Sequence, residues 1–194
     1  MKIKKLSIFL MCVAVISVSV FSFITLTNKN KVTPGQVEGL YVSEAQTLEW
    51  FSNTSDLIIK AKAEKKLTAQ DGIIPLVNKE TVYTDTVVKV IEVYKDITGK
   101  SVSVGDLITI RVLGGKTAKL ENKSDTDGIM DFSGEMILGL AETSKLKIIP
   151  VGTELTYSLV GGVHGAFNIN ADGTAERTKI GEKIQLKDLL DKIK

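Results

Sequence analysis

Leu6 to Leu26 is a run of 21 residues with no charge, glycine or proline. As a helix it would extend about 31 Å, close to the hydrocarbon thickness of a bilayer. A charge at its centre would cost about 3 kcal/mol, and there is none. The preceding residues, Met1-Lys2-Ile3-Lys4-Lys5, form a basic head. A cationic head before an apolar helix stays in the cytoplasm, so the run directs everything after it across the membrane. Two fates fit: an uncleaved anchor or a cleaved signal peptide. The run is longer than the usual signal core and no Ala-x-Ala closes it. The nearest cleavage patterns are Val20-x-Ser22 and Thr25-x-Thr27. Lipidation at Cys12 is disfavoured, because bulky Phe9-Leu10-Met11 precede it and it sits inside the run. The expected organisation is a head at 1–5, an anchor or signal at 6–26, a linker at 27–40 and an extracytoplasmic domain at 41–194.

Charge separates the same way. The chain totals 25 basic and 23 acidic residues, but five of the lysines precede Val32, which leaves the remainder at −3. A body of that charge without a basic run is a poor binder of nucleic acid or of an anionic membrane, because such binding rests on neutralising phosphates with a basic patch. The body has no Cys, which suits an oxidising exterior, and a single Cys excludes both a disulfide scaffold and a multi-thiolate zinc site. At 43% hydrophobic and 25% charged, with 3 Pro, the chain is neither Pro-rich nor a highly charged disordered chain.

The linker gives way to a predicted helix over 42–53, capped by Ser43 or a neighbour, with Ala45, Leu48 and Phe51 on one face and Trp50 beside them. Period-two patterns follow. Ile59, Ala61 and Ala63 alternate with Lys60, Lys62 and Glu64, which predicts a half-buried strand. Residues 68–78, with the Asp71-Gly72 turn signal and Pro75, read as a loop. Thr81 to Tyr94 is the longest strand candidate, and its length implies a bulged or coiled strand. Leu107 to Leu113 is a strand with Thr109 and Arg111 outward. Residues 120–131 form a polar loop. Strands follow at 135–141, 155–160 and 166–169, with a hairpin turn at Asp172-Gly173 before Thr174 to Arg177. Leu186, Leu189, Leu190 and Ile193 are spaced as the inner face of a closing helix. The fold expected is mainly β: a small antiparallel, OB-like barrel with one short helix near each end, behind the N-terminal membrane helix.

The order of motifs also carries a resemblance. Ser55-Asp56-Leu-Ile-Ile-x-Ala-x-Ala-Glu64 is followed by the long strand from Thr81 to Tyr94. Then come Gly105-Asp106-Leu-Ile-Thr-Ile-Arg-Val-Leu-Gly-Gly115 and Phe132-x-Gly134-Glu135-x-Ile-Leu-Gly-Leu140. Gly162-x-x-Gly165-x-Phe167 and Asp172-Gly173 complete the series. Across about residues 55–177 this resembles a loose group of uncharacterised exported proteins of Gram-positive, Bacillus-like bacteria with a small β-barrel domain behind an export signal. The resemblance implies a fold and a location and brings no catalytic residues.

Few residues suggest chemistry. His164 is the sole imidazole and lies between glycines, in a loop with Gly162 and Gly165 that is the one candidate functional loop. Imidazole can serve as acid, base or ligand, but its bland reading is a polar loop residue. Ser124-Asp125-Thr126-Asp127-Gly128, with Asp131 and Glu135 nearby, suggests calcium. The EF-hand register fails, because Gly128 at position 6 puts Lys123 at position 1 and Gly134 at position 12. Asp125, Asp127 and Asp131 remain as weak ligands for a looser site, and a solvated acidic loop is the alternative. Gly114-Gly115-Lys116-Thr117 lacks the earlier glycine of a phosphate loop, since position 110 is Ile110. No cofactor is therefore expected. Tyr83, Tyr94 and Tyr157 could form a stacking surface, but packing explains them more simply.

The leading expectation is a membrane-anchored, non-enzymatic surface module that binds a protein, peptide or cell-wall component. The alternatives are a cell-envelope hydrolase or transferase using His164, and a calcium-stabilised adhesion-type domain.

Overall fold

The alternation of the second strand sets the plan of the molecule. In a computed structural model, which describes residues 33–35, 47–131 and 133–193, it runs as β2 (Leu57–Lys66). Leu57, Ile59 and Ala61 contribute to one apolar cluster and Ile58 to another. A strand buried on both faces must lie inside a sheet, and β2 does, between β4 (Lys79–Asp96) and β8 (Glu135–Glu142). The head, the apolar segment 6–26 with Cys12, and Phe132 lie outside the described residues. So does the linker, apart from a three-residue strand β1 (Thr33–Gly35).

The chain is mainly β with two short helices, one early and one closing. Helix α1 (Leu48–Thr54) begins at Thr47, whose side chain accepts from the Trp50 N–H at 3.1 Å. The described cap is thus Thr47, while Ser43 lies outside the described residues. Phe51 is the fully buried residue of α1, and Trp50 packs beside it.

The segment read as a loop at 68–78 holds a strand, β3 (Gln70–Ile74), paired antiparallel with the start of β4. Asp71-Gly72 lies within this strand and makes no turn. Gly72 is required there because a Cβ would lie 2.8 Å from both Pro150 and the Tyr83 ring. The reversal comes later, at Asn78, which has φ 49°. The long β4 is irregular as its length implied, with three register shifts against β2.

Strand β5 (Leu107–Leu113) pairs with β4. A small hairpin of β6 (Gly115–Lys116) and β7 (Leu120–Asn122) follows, and β7 occupies the start of the segment 120–131 that was expected to be a polar loop. Strand β9 (Tyr157–Leu159) runs parallel to β5 at Ile110↔Tyr157 and antiparallel to β8 at Leu140↔Leu159. The opposite end of that same β8 edge pairs with β10 (Ala166–Ile169), through Ala166↔Leu138 to Asn168↔Met136. Strand β8 therefore divides its outer edge between two partners. From β10 the sheet continues through β11 (Thr174–Arg177) to β12 (Lys183–Gln185) and ends in helix α2 (Leu186–Ile193).

Two apolar clusters result. One collects Leu57, Ile59, Val88, Val90, Ile110, Val112, Leu138, Leu140 and Tyr157. The other lies on the opposite face of β2 and β8, where Ile58, Ile137 and Phe167 are covered by Phe51 of α1 and by Leu189 and Ile193 of α2. The Phe51 and Phe167 rings meet edge to face at 5.3 Å. Gly139 of β8 permits this cover, because a Cβ there would stand 2.3 Å from the Phe51 ring.

Candidate functional site

His164 is not on an open loop. It is buried, on a 3-10 turn (Gly162–Gly165) entered through two residues with positive φ, Gly161 at 61° and Gly162 at 59°. The glycines have backbone reasons to be there. Gly162 sits in a left-handed conformation that side chains disfavour. A Cβ on Gly165 would lie 2.3 Å from the Val160 carbonyl oxygen.

The imidazole Nδ1 lies 3.3 Å from Nη1 of Arg177, at the end of β11. A guanidinium can only donate, so Nδ1 accepts and the ring is the neutral tautomer protonated at Nε2. Burial, reinforced by the Arg177 charge, lowers the pKa of His164 below its ordinary value. Arg177 is itself buried, stacks 5.0 Å from the Phe167 ring centroid, and has Glu182 Oε2 at 3.4 Å from Nε. Burial also pulls its pKa down, against the pull of Glu182. An imidazole of weakened basicity, bound at Nδ1 by a cation, is a poor general base. Its geometry ties the 162–165 turn to the end of β11.

The acidic loop is knitted by local bonds. Ser124 Oγ donates to Asp125 Oδ1 at 3.0 Å, and Thr126 Oγ1 donates to the Leu113 carbonyl at 2.8 Å. Lys179 Nζ donates to the backbone carbonyl of Asp127, and Lys66 pairs with Asp131 at 2.6 Å. Burial raises the pKa of Asp125, opposed by hydrogen bonds from the backbone N–H groups of Thr126 and Asp125 and by the Lys179 charge. Among the described residues no three His, Cys, Asp or Glu side chains converge as a metal site. The Gly-Lys-Thr string at 115–117 enters the β6–β7 hairpin, whereas a phosphate loop would open a helix.

A buried ion pair was not legible in the sequence. Arg111, expected outward, does face away from the first cluster, yet it is buried. It is bound bidentately to Asp85 at 2.8 and 2.7 Å, and Nη1 donates to the Pro150 carbonyl at 2.9 Å. Its guanidinium stands 4.0 Å over the Tyr83 ring. Burial opposes its charge, but Asp85 outweighs that and holds its pKa above the ordinary value. The pair fastens the loop around Pro150 over β4 and β5. Tyr157 lies in the first cluster. Tyr94 donates to Glu92 at 3.0 Å, and its pKa is raised by burial and by Glu92. The three tyrosines thus occupy separate packing positions.

A cleft of about 570 Å³ lies at the far end of β2. Lys62, Lys65, Lys66, Met130, Asp131 and Ser133 are among the residues that line it. Pairing with β8 ends at Lys62↔Glu135, while β2 runs on to Lys66. Over Ala63–Lys66 the side of β2 toward β8 thus carries no strand among the described residues. Thr86, on the paired β4, also lines the cleft, and its hydroxyl is buried without a hydrogen-bond partner.

Among the described residues no helix is long and apolar enough to cross a membrane. No family model matches the chain, and no curated protein or solved structure is significantly similar to it.

Proposed function

We propose that this chain is an exported, membrane-anchored binding module without catalytic activity, and that its β domain takes an extended, acidic segment of an extracytoplasmic protein or peptide along the edge of β2. The observation that carries this reading is the cleft beside Ala63–Lys66. A strand that outruns its neighbour offers backbone donors and acceptors for strand addition. Lys62 and Lys65 supply positive charge at the rim for an acidic segment, beside Glu64 and the Lys66–Asp131 pair. Export is supported by the uncharged run at 6–26 and by the resemblance to exported Gram-positive proteins. The cycle of pairings β2–β4–β5–β9–β8–β2 supports reading these strands as a small OB-like barrel.

A photo-crosslinking residue in place of Lys65 tests the binding site in intact cells. The expected result is a discrete adduct that is absent when the same residue replaces Asp172 on the β10–β11 turn. Identical patterns from both positions would refute the site. For export, alkaline phosphatase fused to the carboxyl end is expected to be active in intact cells, and an inactive fusion present at normal levels would refute it.

A further inference from the structure

Two Ile-Ile-Pro strings stand far apart in the sequence: Ile73-Ile74-Pro75, followed by Leu76-Val77, and Ile148-Ile149-Pro150, followed by Val151. The fold sets them side by side. The Leu76 N–H donates to the Lys147 carbonyl at 2.9 Å, and Gly72 lets Pro150 lie against β3. In each string one isoleucine turns inward, Ile74 and Ile149, and the other outward. Ile73, Leu76, Val77, Ile148 and Val151 are 48–60% exposed. They make up five of the ten exposed large apolar side chains among the described residues. Such side chains are usually scattered singly, and their concentration on two joined loops marks a contact surface.

The aliphatic character of the tips favours a lipid surface. Lys79 and Lys147 border the two loops and are exposed, as are Asp71 and Glu154, and nearby Glu80 is engaged by Lys119 at 2.6 Å. Aliphatic tips with a margin of mixed charge match the boundary between acyl chains and headgroups. The covalent connection makes the encounter local. Residues 27–46 separate the apolar segment from the described helix, and twenty residues reach at most about 66 Å. That length is an upper bound, because the segment includes β1, and it keeps a domain about 40 Å across in the neighbourhood of the bilayer.

We propose that the joined Ile-Ile-Pro loops seat the domain on the lipid surface of the membrane that holds residues 6–26. This rests on the reading of that segment as an anchor. The test uses the full chain with Cys12→Ser, reconstituted into phosphatidylcholine/phosphatidylglycerol vesicles. An environment-sensitive fluorophore is attached at a cysteine introduced by Leu76→Cys, by Ile148→Cys or, as a control, by Asp172→Cys. All three positions are exposed, and unchanged melting temperatures verify folding. Blue-shifted emission at 76 and 148, quenched by nitroxide-labelled lipid and absent at 172, supports the proposal. Chains that float with the vesicles while all three labels stay in water overturn it and leave the anchor standing. Chains that fail to float overturn both. A blue shift that nitroxide lipid does not quench means the loops meet another protein copy, and also overturns it.

Discussion

Arg111 and Asp85 face each other across β4 and β5 with both carboxylate oxygens and three guanidinium nitrogens engaged. Removing one partner of such a pair leaves the other charged and buried. Arg111→Ala is expected to lower unfolding stability by about 4 kcal/mol, read from denaturant midpoints. The double change Arg111→Met with Asp85→Leu should recover most of the loss. A single variant as stable as the parent would mean that the pair is solvated. His164 yields a pH effect. Its folded pKa lies below the ordinary 6.5, so the unfolded chain binds the proton more readily. Stability is therefore full above that value and falls on acidification below it. His164→Gln should remove this slope just below pH 6.5, and an unchanged profile would contradict the account. Asp125 has the opposite sign in a lower window, because its raised pKa favours the folded state when protonated. Sequence alternation placed Arg111 on the correct face. It could not show that a loop some forty residues later would cover that face.

Elements read best where a repeating pattern met an ordinary boundary. β2, β5, β8 and α2 stand close to their expected places because alternate or fourth-residue apolar positions define them. β3 escaped because Asp71-Gly72 and Pro75 are turn residues by composition. Here the glycine makes room for Pro150, a contact with no local signature. Gly139 is a similar case within a strand. Gly139→Ala would press a methyl into Phe51 and the Ser55 hydroxyl, displacing α1 from β8. The expected cost is about 2 kcal/mol, seen as a lower melting temperature and faster exchange of the α1 amides. Exchange unchanged in α1 would show that the helix rests elsewhere.

For the molecule as a whole, the sequence indicated a mainly β chain with a helix near each end. It did not indicate that one cluster would lie on each face of β2 and β8. That follows from β8 taking β9 and β10 along one edge, a long-range choice that no short window records. The candidate site was less legible still. The cleft exists because β2 outlasts β8, a difference in strand length settled only when the two are paired. The shared edge has a cost for any attempt to shorten the chain. Ending it at Gly165 would remove Phe167, Ala175, Leu189 and Ile193 from the second cluster and leave Ile58 and Ile137 facing water. Such a truncation is expected to lose cooperative unfolding by circular dichroism, and a sharp transition would contradict this. Residues 166–194 are thus no detachable appendage: trimming them for crystallisation, or inserting a tag after the 3-10 turn, would split a common wall and bring down the rooms on both sides.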